Sequence, residues 1–173
     1  MIDEEALGLR LAALEERLTL LEDEKSIREV LARYGYYADA CLDDQYIQLF
    51  TRDCVMDISS GDPGDPFKVI EWRGRDAIRD FLTERTGRHG DGFRGRSLHV
   101  QGNNLAIRIS GAEATATGYS FILRQGDADV CLVSASINRW QLRKDDGRWR
   151  VQRRVRRGVG APDTAAVLKS DDD

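Results

Sequence analysis

Asp39 and His99 are the residues of this sequence whose types and settings best suit them to do chemistry, provided folding brings them together. A neutral imidazole has an unperturbed pKa of about 6.5, so it accepts a proton readily near neutral pH and returns it later. A carboxylate accepting from one ring nitrogen fixes the tautomer, and it stabilises the imidazolium that forms when the other nitrogen takes a substrate proton. Histidine is scarce, at two residues, and the second, His89, lies in a glycine-rich HGDG stretch expected to be a solvent-exposed loop. Three cysteines, Cys41, Cys54 and Cys131, are widely spaced and outside any CxxC, which points to buried structural thiols in a reducing compartment. Without Cys/His clustering no metal site is expected, and the chemistry requires no organic cofactor.

Each candidate must be held by an element. Ile27, Val30, Leu31, Tyr34, Tyr37, Ala38 and Cys41 recur at helical spacing, in a helix beginning near Asp23 to Lys25. At about 100° per residue from Ile27, most of these fall within roughly 60° of one line, whereas Asp39 falls near 120°. Asp39 is therefore at the edge of the apolar stripe, stacked over Gly35, which leaves space. That position suits an ordinary surface acid at a helix end as well as a carboxylate at a pocket rim. His99 shares strand parity with Gln101, Asn103, Leu105 and Ile107, a polar end passing into an apolar run, as a pocket floor requires.

The chain has 173 residues, 41% hydrophobic and 32% charged, with only 3 prolines, which is the composition of one globular domain. Acidic residues (30) exceed basic ones (26) for a net charge of −4, so neither a nucleic acid nor an anionic membrane is the expected partner. The N-terminus is acidic and periodic, with no signal peptide or transmembrane segment expected, and the cytoplasm is the expected location. Leu11, Leu14, Leu18 and Leu21 make an apolar seam in residues 1–22, read either as docked on its own domain or as a subunit contact. A short helix carrying Tyr46, Leu49 and Phe50 precedes a strand around Cys54 to Ile58, and SSGDPGDP is a loop before the strand FKVIEW. GRDAIRDFLTERT is a third helix burying Ile78, Phe81 and Leu82, followed by a loop over HGDGFRGR. Period-two runs LHVQGNNLAIRI, ATATGYSFILRQ, VCLVSASINRWQLRK and RWRVQRRVRRGV are long antiparallel strands, the last two joined by the hairpin signal DDG. Residues 160–173 are expected to be a flexible acidic tail. Helices followed by meandering strands give an α+β domain over 23–159, a curved antiparallel sheet wrapped over the early helices to enclose a cone.

The stretch EKSIREVLARYGYYADACLDDQYIQLF, with FRGRSLHVQGNNLAI, ATATGYSFIL and DDGRWRVQRR in order after it, resembles the SnoaL-like branch of the NTF2-like superfamily over roughly residues 20–157. The resemblance implies the NTF2-like cone fold. It also implies the chemistry of the branch that includes scytalone dehydratase, a dehydrochlorinase and bile-acid dehydratases. Asp39 and His99 fall where those members carry a working Asp–His pair, and Tyr34 matches a tyrosine of the bile-acid dehydratases. On this resemblance the chain is expected to be a cofactor-independent lyase acting on a hydrophobic cyclic or aromatic substrate of aromatic, polyketide or steroid type. His99 is the base, Asp39 its orienter and Tyr34 an acid or hydrogen-bond donor. Tyr119 is a second candidate donor, the competing reading of either tyrosine being aromatic core fill with a hydroxyl reaching the surface, and Asn103 orients a carbonyl or pairs a strand edge. One arginine of RRVRR, with Arg153 or Arg156 the better candidates, enters the cone to meet an anionic or phenolic substrate. Strand alternation sends successive arginines to opposite faces, against a nucleic-acid patch.

The same dyad could serve an isomerase, a polyketide cyclase or a formaldehyde-releasing carbon–carbon lyase. A reading of a different class is a noncatalytic subunit of an oxygenase, which needs no Asp–His pair. Relatives of this fold are often dimers or trimers, so a homo-oligomer is expected.

Overall fold

A computed structural model describes residues 4–62, 64, 65 and 69–169, and over 85–93 the backbone alone. The first element is a single 36-residue helix, α1 (Glu4–Asp39), where two helices meeting near Asp23 were expected. No Gly or Pro lies between Leu9 and Arg33 to break the ladder. What changes near residue 23 is the environment. Asp23 is buried and accepts hydrogen bonds from Lys144 Nζ (2.7 Å) and Trp149 Nε1 (2.8 Å). From there the stripe Ile27, Leu31, Tyr34 and Ala38 packs into the core. Before it the leucines are exposed, so the seam does not dock on its own domain.

The remaining elements are α2 (Asp43–Gln48), β1 (Phe50–Asp57), β2 (Glu71–Arg73), α3 (Gly74–Phe93), β3 (Ser97–Gln101), β4 (Ala106–Ser110), β5 (Glu113–Gln125), β6 (Val130–Asp145), β7 (Arg148–Gly158) and α4 (Thr164–Leu168). Among the described residues they form a seven-stranded sheet ordered β2-β1-β7-β6-β5-β3, with β4 pairing the other half of β5's edge. All pairs are antiparallel except β1 with β7, so the sheet is mixed rather than wholly antiparallel. The long strands β5, β6 and β7 carry Ala114, Ala116, Trp140, Leu142, Trp149 and Val151 into one core with α1, Phe50, Cys54, Met56, Ile78 and Leu82. The DDG hairpin forms as read, with Asp146 (φ 50°) and Gly147 (φ 71°) both left-handed, as a two-residue type I′ turn requires.

Several expectations are corrected. α3 runs through the expected HGDGFRGR loop as far as Phe93, and the His89 side chain lies outside the described residues. The strand expected over FKVIEW begins only at Glu71, with Phe67 and Lys68 outside the described residues. Residues 160–169, expected to be flexible, carry α4, whose Val167 is buried and whose preceding Asp163 pairs with Arg157 (2.7 Å). Residues 170–173 are outside the described part. Cys54 is buried as expected, and burial pushes its thiol up to about 11, but Cys41 is half-buried and Cys131 is exposed. No helix among the described residues is long and apolar enough to cross a membrane.

Candidate active site

The last turn of α1 and the first strand after α3 meet at Asp39. The His99 backbone N–H donates to Asp39 Oδ2 (2.9 Å), and the ring Nδ1 is 2.5 Å from Asp39 Oδ1. One carboxylate therefore holds both the strand and the imidazole. With Nδ1–H donating to Asp39, the neutral ring carries its lone pair on Nε2, a tautomer assigned from this hydrogen bond. Both side chains are largely buried, at 18% and 14% exposure.

Gly35 makes this approach possible. A Cβ at position 35 would overlap the His99 carbonyl oxygen, so only glycine lets helix and strand backbones come this close. Gly35→Ala is therefore expected to lower stability by about 1–3 kcal/mol, as overpacking does, and to move His99 off Asp39. The measurements are thermal melting together with turnover, and an alanine variant with wild-type melting and activity would contradict the argument.

His99 lines a cavity of about 210 Å³ whose walls include Tyr34, Tyr46, Met56, Ile58, Phe81, Phe121 and Ile122, with Gln101, Ser120, Arg154 and Arg156 as its polar members. Tyr34, predicted as an acid or donor, is 4% exposed and lies in this wall. Its hydroxyl accepts a hydrogen bond from Arg154 Nη1 and stands 3.9 Å from Met56 Sδ. Arg154 lies over the rings of Tyr34 and Trp140, at 4.8 and 4.7 Å, and donates through Nε (3.0 Å) and Nη2 (2.8 Å) to Asn138 Oδ1. Asn138 Nδ2 in turn donates to Ser120 Oγ (2.7 Å). Arg156 Nη2 donates to Ser134 Oγ. Burial lowers the Arg156 pKa, and the nearby Arg154 charge lowers it further, so the two cations load the pocket with positive potential.

Three predicted residues fall elsewhere. Arg153 reaches Glu71 (3.6 Å) and Asp57 (4.0 Å) and does not line the cavity. The cause is a bulge: Leu142 pairs with Val151 but Gln141 pairs with Arg153, leaving Gln152 as an extra residue. Past the bulge the even positions face inward, so Arg154 replaces Arg153. No sequence signal announces this, because the apolar residues Trp149, Val151 and Val155 keep odd parity straight through it. Asn103 is exposed in the break between β3 and β4, where the expected single strand is interrupted after Gln101. Tyr119 is 42% exposed on the outer face of β5, opposite to inward Ala114, Ala116, Gly118 and Ser120. Arg154 is the main site residue that sequence reading missed, and Gln101 was read only as a neighbour of His99 in parity. Among the described residues, no three His, Cys, Asp or Glu side chains are grouped so as to hold a metal ion.

The sequence profile of the SnoaL-like domain family matches residues 19–155. An NTF2-like protein of cystatin-like fold from Novosphingobium aromaticivorans is 29% identical, with a TM-score of 0.78 over 92% of this chain and 97% of that one. A function-unknown protein from Mycobacterium tuberculosis is 21% identical, with a TM-score of 0.66 over 86% of this chain and 91% of that one. A candidate scytalone dehydratase from Novosphingobium aromaticivorans is 20% identical, with a TM-score of 0.63 over 82% and 87% of the two chains. The last two share the fold. No curated protein matches the chain significantly.

Proposed function

The chain belongs to the SnoaL-like domain family, and on that premise we propose that it is a cofactor-independent lyase that removes a proton and a leaving group from a small cyclic or aromatic substrate. The observation that carries this reading is the 2.5 Å contact of His99 Nδ1 with Asp39 Oδ1, in the wall of an apolar cavity that also holds two arginines. His99 Nε2 takes the substrate proton, and Asp39 stabilises the imidazolium that results. The electron pair left behind forms the new double bond as the carbon–oxygen bond breaks. Arg154 and Arg156 stabilise the negative charge that develops on a carbonyl or phenolic oxygen. Tyr34, whose oxygen already accepts from Arg154, turns its own proton from the weak acceptor Met56 Sδ to the departing oxygen. A cavity of about 210 Å³ is below the usual ligand-pocket range of about 300–1,000 Å³, which favours a compact ring system over an extended one. The reading places a homo-oligomer in the cytoplasm.

The test is incubation with a panel of hydroxylated cyclic ketones and phenols in deuterated buffer, followed by mass spectrometry. Loss of water, slowed by a primary isotope effect when the carbon next to the carbonyl is deuterated and abolished in His99→Ala, is the expected result. Loss of water that His99→Ala carries out in full sinks the proposal. Exchange without elimination points instead to an isomerase on the same dyad, and formaldehyde release points to carbon–carbon cleavage. Co-purification with a larger iron-containing chain, without turnover, favours a noncatalytic subunit.

Arg156→Gln should weaken binding of a phenolate-type product analogue by about 10–100-fold, the worth of one charge-assisted hydrogen bond. Titration calorimetry reads this directly, and equal affinity in both proteins excludes Arg156 from the site.

A further inference from the structure

The leucine seam of α1 cannot belong to its own domain, for a geometric reason. At about 100° per residue, Leu7, Leu11, Leu14, Leu18 and Leu21 centre roughly 150° around the helix from the docked stripe of Ile27, Leu31, Tyr34 and Ala38. The helix is continuous between the two stripes, so the seam faces away from the sheet. Its leucines are 56–64% exposed. The spacing of four, three, four and three is that of alternating d and a positions in a coiled coil.

The flanking charges say what covers it. With Leu11 and Leu18 at a and Leu7, Leu14 and Leu21 at d, the g positions that precede Leu11 and Leu18 are Arg10 and Arg17, and the e positions include Glu15 and Glu22. All four are exposed. In a parallel, in-register pair, each g residue faces the e residue five places on in the other helix. Arg10 then meets Glu15 of a second copy and Arg17 meets Glu22, twice over by symmetry. In an antiparallel pair g faces g and e faces e, setting arginine on arginine and glutamate on glutamate.

We infer that residues 4–24 form a parallel two-stranded coiled coil with a second copy of this chain. The buried half of α1 holds the helix in place, so the short seam does not bear the cost of helix nucleation. Because the seam points away from the core, the two domains stand on opposite sides of the shared axis, as an isologous two-fold interface allows.

Sedimentation velocity of the full chain at tens of micromolar and low ionic strength is expected to give twice the chain mass. Leu14→Glu with Leu18→Glu is expected to weaken the dimer by at least about a hundredfold, with the far-ultraviolet circular dichroism of a folded domain retained. Arg10→Glu with Arg17→Glu should weaken it about tenfold or more, and adding Glu15→Arg with Glu22→Arg should restore it. A monomeric or trimeric wild type overturns the inference. So does a dimer that survives the two leucine changes, which would put the interface on the outer sheet face bearing Leu98, Val100 and Leu132. Failure of the fourfold charge exchange to restore pairing overturns the parallel arrangement.

Discussion

His99→Ala is expected to lower kcat for proton abstraction by about 10²–10⁴-fold while leaving the fold intact, because the imidazole lines a cavity wall and is not a core plug. Asp39→Asn is expected to cost nearly as much, for a reason visible in the hydrogen bonds. The Asp39 carboxylate accepts from both the backbone N–H and Nδ1 of His99. Asparagine can keep the backbone bond with its carbonyl oxygen, but its amide then presents N–H to Nδ1. The ring is driven to the other tautomer, with its proton on Nε2, and the base loses the lone pair it needs. Asp39→Asn should therefore melt close to the wild type and yet fail in turnover. The two measurements are thermal melting and the rate of water loss from substrate. Turnover at half the wild-type rate or more in Asp39→Asn would show that the carboxylate is only a structural staple between helix and strand.

Arg157→Leu should destabilise the protein by about 3–5 kcal/mol without touching the cavity, the usual consequence of leaving one member of a buried ion pair alone. Arg157 Nη1 and Nη2 each donate to a different oxygen of Asp57 at 3.1 Å, and both side chains are 10% exposed. Its Nε also holds Asp163 (2.7 Å), which tethers α4. For a domain of this size the loss corresponds to a fall of about 6–20 °C in Tm. The pH dependence adds a second signature. Burial pushes the Asp57 carboxyl up, but hydrogen bonds from Arg157 and Ser59 outweigh it and hold the carboxyl below its ordinary value of 3.8. A carboxyl lowered in the folded state contributes stability that is complete above its unfolded pKa and lost as pH falls through the folded one. The wild type should thus be insensitive to Asp57 between pH 7 and 5 and lose this contribution below about pH 4. In Arg157→Leu burial acts with its main partner gone, and Arg153 at 4.0 Å only softens it. The carboxyl then rises, so mild acidification should raise the urea midpoint of the variant. Equal slopes in the two proteins from pH 7 to 5 would contradict the assignment.

Arg156→Gln and Arg157→Leu together would divide one short run of sequence. Within RRVRR, Arg154 and Arg156 face the cavity, whereas Arg153 and Arg157 bind the carboxylates of β1 and β2. The same alternation argument that set aside a nucleic-acid patch predicted such a split; of the two arginines that the resemblance offered for the cone, Arg156 lines the cavity and Arg153 does not.

What the sequence determined by itself was whatever local periodicity encodes. The stripe from Ile27 to Ala38 places Asp39 at its edge over Gly35, the DDG turn joins β6 to β7, and His99 and Gln101 share a face. The resemblance carried by the Asp39 helix and the His99 strand supplied the fold and the pairing. Tertiary structure decided the rest, since it depends on partners distant in sequence. The bulge at Gln152 exists only in the register of β7 against β6, and it exchanges Arg153 for Arg154. The break after Gln101 arises where β5 pairs first with β4 and then with β3, and it leaves Asn103 in solvent. The docking of α1 at Asp23 rests on Lys144 and Trp149, more than a hundred residues away. A period of two or 3.6 fixes which side chains share a face. Only the neighbouring strand, through its hydrogen-bond register, fixes where that period slips.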